Sequence, residues 1–223
     1  MASEPENKKL IIPLFPLPEV VLFPGMNLPL HIFEDHFKQM ISSVLKTTNQ
    51  FGVVLLLGDT CAQVGTLAEI IDVENLEEGK MNILTEGKSR FNIVLLVSEE
   101  PYYVAEVQLY EDIEEEISSE LKKTMRHIKK LSNKALSVFD KVSDQELSKK
   151  LKLPDDPAEL LYLIMANLTC SFESKQDILE SRSLKNRAEK VQSLLDEEIQ
   201  RLEILLENKK TKEKVVKNGK LKI

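Results

Sequence analysis

Tryptophan is missing from this 223-residue sequence, and aromatic residues make up only 5% of it. Its core must therefore be aliphatic, and the flat side chains on which nucleic-acid bases stack are scarce. Cysteine occurs twice, at Cys61 and Cys170, and histidine three times, at His31, His36 and His127. Two cysteines this far apart have neither metal nor redox spacing, and a secreted scaffold held by disulfides would carry more. No uninterrupted apolar run approaches the roughly 18 residues needed to cross a bilayer. The opening MASEPENKK has no apolar stretch, which argues against a secretory signal. Its acids Glu4 and Glu6 and its lack of Arg argue against an organellar presequence. The chain reads as cytoplasmic, with no membrane partner.

The charge that is present is mostly acidic, with a formal net of −7 and a pI near 5.2. Nucleic acid is therefore not the default partner, because neutralising phosphates requires clustered Lys and Arg. One stretch departs from this balance. From Lys209 to Lys222 there are seven lysines against one Glu213, a net of +6, which leaves −13 for the rest. Two readings stand for it: a solvated tail, or an electrostatic contact for RNA, anionic lipid or an acidic partner.

Before residue 115 the pattern is mostly strand-like. Leu10 to Phe15 is an apolar run closed by Pro16 and Pro18, and Val20 to Phe23 is another, closed by Pro24-Gly25. Pro16, Pro18 and Pro24 are expected to cut the strands into short pieces. Phe51 to Leu57 and Val64 to Val73 read as strands, with a hairpin at Glu78-Gly79 returning through Met81 to Thr85. Phe91 to Val97 reads as a further strand. Tyr103, Ala105, Val107 and Leu109 alternate with Glu106 and Gln108 as a last one. Phe37, Met40, Ile41, Val44 and Leu45 form the stripe of a single amphipathic helix. Several short strands with one helix point to a small, partly closed β-barrel.

After residue 115 the period becomes helical. Ile117, Leu121, Met125, Ile128, Leu131, Ala135 and Phe139 recur every three or four residues. Ser143 and Glu146 have the spacing of a capping box for a short helix ending at Leu151. Asp156-Pro157-Ala158-Glu159 is a stronger helix start, because Asp156 can cap and Pro157 suits the first helical position. That helix is expected to run to about Thr169, and Ser174 with Asp177 offers the start of a short piece. A last helix carries Leu184, Ala188, Val191, Leu195, Ile199, Leu202 and Leu205 or Leu206 at near-heptad spacing. The seam packs against the other helices or meets a coiled-coil partner.

Motifs that would carry chemistry are largely missing. Gly87-Lys88-Ser89 resembles the end of a phosphate-binding loop, but Asn82 stands where that loop needs its first glycine. His31 and His36 are five apart with Glu34 between them, which is not the spacing of a helical zinc pair. Their expected roles are surface or capping ones. Cys170, among Leu and Phe, reads as a small buried hydrophobe. The densest carboxylates, Glu111-Asp112-Ile113-Glu114-Glu115-Glu116, read as a solvated connector. Gly65 and Gly87 read as bulge or close-approach positions, and Arg90 is expected to cap buried carbonyls.

Three proline-interrupted phrases carry a family resemblance: Pro13-Leu14-Phe15-Pro16-Leu17, Val20-Val21-Leu22-Phe23-Pro24-Gly25, and Leu28-Pro29-Leu30-His31-Ile32-Phe33-Glu34. In this order they are similar to the opening of the N-terminal domains of Lon proteases. The resemblance continues through Val64-Gly65-Thr66-Leu67-Ala68-Glu69-Ile70, through Glu86-Gly87-Lys88-Ser89-Arg90-Phe91, and in the helical half through Asp156-Pro157-Ala158-Glu159-Leu160 and Lys175-Gln176-Asp177-Ile178-Leu179-Glu180. It covers about residues 9 to 206.

The resemblance implies an α+β fold, a PUA-like small β-barrel with one helix followed by a helical bundle. The expected segments are a flexible terminus 1–8, a β-rich part 9–116, a helical part 117–207 and a Lys-rich tail 208–223. The implied function is a non-catalytic module for unfolded or hydrophobic protein segments, working with a separate protease or as a homo-oligomer. The expected physical basis is an apolar groove between barrel and helices. Motifs of the Lon ATPase and Ser-Lys peptidase are not found, so no enzymatic activity is expected. No catalytic, cofactor or metal residues are assigned, and the substrate-binding residues are not identified. An RNA-binding module and an assembly module remain the alternatives.

Overall fold

The structure, a computed structural model, describes the backbone of residues 9–219 and the side chains of residues 9–212. The expected terminus 1–8 and the last lysines of the basic stretch lie outside the described residues. The chain divides into two compact units. One comprises the residues up to Glu114 joined by Ser171–Ser183. The other comprises Glu115–Cys170 joined by the residues from Leu184 onward.

The first unit contains β1 (Lys9–Pro18), β2 (Asn27–Ile32), α1 (Asp35–Val44), β3 (Gln50–Leu57), β4 (Thr60–Cys61), β5 (Val64–Asn75), β6 (Met81–Ser98) and β7 (Val104–Leu109). The strands pair in the order β1-β7-β6-β5-β3, and a parallel ladder of Leu14–Pro18 against Gly52–Leu56 closes the ring. The remaining ladders are antiparallel, with β2 laid along the first part of β6. The β5–β6 ladder shifts register between Thr66 and Ala68 and again between Ile70 and Asp72. Such bulges bend and twist a pair of strands, so a long hairpin can curl into a small barrel. On one side of the sheet, α1 seals the core. Met40 and Ile41 are fully buried, and the ring of Phe37 stacks on Phe15 at 4.1 Å.

Three sequence expectations for this unit are corrected. Prolines do not cut β1: it runs through Pro13, Pro16 and Pro18. Its first half pairs with β7 and its second half with β3. Each half thus leaves one edge without a ladder, where a missing N–H is tolerated. Val20–Phe23 is not a strand; Leu22 and Phe23 are buried there by irregular backbone. The two runs Met81–Thr85 and Phe91–Val97 are one 18-residue strand.

The second unit contains α2 (Ser119–Ser143), the short α3 (Leu147–Lys150), α4 (Pro157–Asn167) and α6 (Leu184–Gly219). Helices α2 and α6 run parallel, as ion pairs at successive levels show: Lys185–Glu120 at 3.9 Å, Lys134–Glu203 at 2.8 Å and Lys209–Asp144 at 2.6 Å. The near-heptad stripe of α6 is intramolecular, with Ala188, Val191, Leu195, Ile199 and Leu202 buried. Asp156 caps α4 by accepting from the Glu159 amide at 2.9 Å, with Pro157 as the first helical residue. The Ser143–Glu146 capping box does not form. Ser143 is the last residue of α2, and its hydroxyl donates to the Phe139 carbonyl at 2.9 Å. The side chain of Glu146 does not cap α3.

The remaining helix, α5 (Phe172–Glu180), starts at Ser171 rather than Ser174: the Ser171 hydroxyl accepts from the Ser174 amide at 3.2 Å. It packs with the barrel strands of the first unit. Gln176 Nε2 donates to the Val64 carbonyl at 2.9 Å. Arg90, buried on β6, donates to the carbonyls of Leu179 at 2.7 Å and Ser181 at 2.8 Å and pairs with Asp112.

Candidate functional site

The side chains with potential chemistry do not converge. His31 Nδ1 meets Asn82 Oδ1 at 2.8 Å across the β2–β6 ladder. His36 lies against Phe37 with Glu34 at 3.7 Å, and His127 is exposed on α2. No cluster of potential metal ligands occurs among the described residues. Burial raises the Cys61 thiol pKa, which suppresses the nucleophilic thiolate. Cys170 is half-buried rather than enclosed, because it lies at the junction that leads from α4 into α5.

Gly87-Lys88-Ser89 lies inside β6. The Lys88 ammonium is held by Glu86 at 2.8 Å and Glu69 at 3.1 Å, and these carboxylates raise its pKa. Gly87 serves close packing: a Cβ there would lie 2.4 Å from the Phe23 carbonyl oxygen. Its backbone also bonds the Pro24-Gly25 turn, accepting from the Gly25 amide at 2.8 Å and donating to the Met26 carbonyl at 2.9 Å.

The acidic run is exposed except at the half-buried Glu115 and has no regular secondary structure, as a solvated connector would, but it is anchored at several points. Asp112 pairs with Arg90, and the Glu111 carbonyl accepts from Arg182 at 2.6 Å. Glu115 accepts from the Lys185 amide at 3.2 Å in the first turn of α6. A carboxylate there offsets the positive end of the helix dipole.

What the second unit does offer is an apolar groove of about 250 Å³. Leu136 and Phe139 of α2, Leu163 of α4 and Leu195 of α6 form its walls, and Leu147 and Leu151 flank it from the α3 segment. The amphipathic pattern of α2 places Leu136 and Phe139 one turn apart on one face. The volume lies just below that of pockets for whole drug-sized molecules and suits one or two apolar side chains. Leu147 and Leu151 remain 39% and 43% exposed, so the α3 wall is incompletely packed. At the rim, Glu198 accepts from Arg201 through both carboxylate oxygens, at 2.8 and 2.5 Å. Arg201 also reaches Thr169 Oγ1 at 3.2 Å. The pair holds the guanidinium more firmly protonated than usual.

Asp140 holds the α3 wall. Its carboxylate accepts from the amides of Leu147 at 2.8 Å and Ser148 at 3.0 Å and from the Ser148 hydroxyl. The hydroxyl bond is the leading cause of a lowered Asp140 pKa. Helical periodicity gives no signal for this contact, because Asp140 reaches across a turn to a helix of four residues.

The first unit exposes a different apolar feature. Val94, Leu95, Leu96 and Val97 at the end of β6 are four consecutive residues, all at least 41% exposed. Leu95 and Leu96 pair with Glu106 and Ala105 of β7, while Val94 and Val97 fall at the register shifts of that ladder. Runs of exposed apolar residues mark binding surfaces or aggregation hazards. In sequence the run looks like any apolar strand, and nothing local marks it as uncovered.

Comparison with known proteins follows the same lines. A profile of the ATP-dependent protease La (LON) substrate-binding domain matches residues 11–197. Lon protease of Flavobacterium johnsoniae is 27% identical over 89% of this chain, and that of Roseiflexus castenholzii is 28% identical over 97%. The chain spans about a quarter of the length of these relatives, 25% and 27% respectively. Among solved structures, the N-terminal domain of Mycobacterium avium complex Lon protease matches with a TM-score of 0.66 at 20% identity, covering 84% of this chain and 98% of that one. A Lon N-terminal domain protein from Xanthomonas campestris matches with a TM-score of 0.63 at 22% identity, covering 82% and 98%.

Proposed function

This chain belongs to the LON substrate-binding domain family, and on that premise we propose that it is a non-catalytic module that holds unfolded or apolar polypeptide segments. The observation that carries the reading is the leucine-lined groove of the second unit, beside the incompletely packed α3 wall. Its size favours apolar side chains presented one or two at a time, as an unfolded chain presents them. No helix among the described residues is long and apolar enough to cross a membrane, which is compatible with a cytoplasmic setting. Delivery of the bound segment to a separate protease is the adaptor role that fits such a module.

The test is fluorescence anisotropy of a labelled, permanently unfolded protein titrated with the full chain at low and high salt, without nucleotide. Saturable binding that survives high salt is the expected result, because apolar burial is not screened. An absence of binding up to about 50 μM, an affinity too weak for capture, overturns the reading.

A further inference from the structure

The groove is not the only cavity of the second unit. A second one, of about 470 Å³, lies where three helices begin. Its walls are Ile117, Leu121 and Met125 with Pro157 and Leu184, the first residues of α4 and α6. Lys122 and Arg126, one turn apart on α2, complete its lining. Like charges at this spacing destabilise a helix. Among the described residues neither side chain meets a carboxylate, whereas Lys129, Lys134 and Lys185 all do. Arg126 makes only a 3.2 Å bond from Nε to the Lys122 carbonyl. In a chain of net charge −7, two such cations beside an apolar hollow are complementary to a carboxylate adjoining apolar side chains.

We propose that this cavity recognises polypeptide segments in which an acidic residue adjoins apolar ones, with Lys122 and Arg126 taking the carboxylate and Leu121 and Met125 the apolar side chains. The proposal rests on the substrate-binding reading above and adds a preference to it: acidic–apolar segments bind better than neutral ones. A polypeptide is favoured over an anionic lipid surface because the family match is to the substrate-binding domain of a protease.

The test uses the full chain and two labelled peptides that differ only in Glu-Leu-Phe-Glu against Gln-Leu-Phe-Gln, with the unfolded protein as a third probe. The wild type is expected to prefer the acidic peptide about fivefold at low salt, the yield of two exposed ion pairs. The variant K122Q/R126Q is expected to bind both peptides equally while keeping its helical circular dichroism. A second variant, M125S, is expected to weaken both peptides alike. A preference that persists in K122Q/R126Q overturns the proposal. Equal binding of both peptides by a wild type that still captures the unfolded protein overturns it too, leaving the substrate-binding reading intact. If none of the three probes binds, both fall. Binding to phosphatidylglycerol vesicles that depends on Lys122 and Arg126, without peptide preference, overturns it in favour of a membrane surface.

Discussion

The guanidinium of Arg90 donates to the carbonyl oxygen of Leu179 at 2.7 Å, joining a barrel strand to a helix 89 residues further along the chain. A second bond reaches Ser181 at 2.8 Å, and Asp112 neutralises the charge. Arginine suits the position because its planar fork serves two helix-end carbonyls and a carboxylate at once. Replacing Arg90 with Ala leaves buried carbonyls unmet and is expected to cost about 2–4 kcal/mol of unfolding free energy. Arg90→Lys is expected to recover only part of this. Urea denaturation gives the magnitude. Hydrogen exchange over residues 172–183 shows whether the loss begins at α5, and unchanged protection there would contradict the clamp.

Gly87→Ala is expected to destabilise the barrel by about 1–3 kcal/mol, the usual cost of overpacking. The added methyl would sit 2.4 Å from the Phe23 carbonyl, which is backbone and has little freedom to yield. A denaturation midpoint equal to that of the wild type would show that the Pro24-Gly25 turn can move away.

Asp140 makes the α3 wall sensitive to pH. Its pKa is lowered in the folded state. Its contribution is therefore full above the ordinary aspartate value and is lost as pH falls through the lowered one. The amide protons of Leu147 and Ser148 should titrate together in NMR spectra, with a midpoint below that ordinary value. Asp140→Asn should speed tryptic cleavage after Lys149 and Lys150 at neutral pH. Equal cleavage rates would show that α3 is held by packing alone.

The leucine-lined groove makes a prediction separable from stability. Leu136→Trp fills the space between α2 and α4, and it is expected to weaken capture of an unfolded protein about tenfold or more, with the helical content retained. An unchanged affinity would move the binding surface elsewhere, with the exposed Val94–Val97 strand as the next place to test. Leu95→Lys with Val97→Lys should leave stability within about 0.5 kcal/mol, since both side chains are exposed.

The legible parts of the molecule are those whose information is local. The stripe of Phe37, Met40, Ile41 and Val44 announces α1, and Asp156-Pro157 announces the start of α4, because a helix start and a helix face are written within one or two turns. Arg90 caps buried carbonyls, as expected of it from the sequence. The prolines of β1 are misleading in sequence, because their penalty depends on which strand edge has a neighbour, and neighbours are assigned by pairing between distant segments. The groove is not legible at all. Its walls come from helices whose apolar residues look alike in sequence, and only packing decides which of them are covered and which face a hollow.

The order of strands then helices, the acidic balance and the phrases that carry the family were determined by the sequence alone, because each rests on composition or on short-range periodicity. The tertiary structure decided that α5, helical in pattern like its neighbours, joins the barrel strands through Gln176 and Arg90. It also decided that the exposed acidic run is anchored at Glu111, Asp112 and Glu115 and that Lys122 and Arg126 border a hollow without a carboxylate among the described residues. Amphipathic patterning specifies that a face must be buried, but not against what. That choice comes from long-range contacts whose free energy no short window of residues contains.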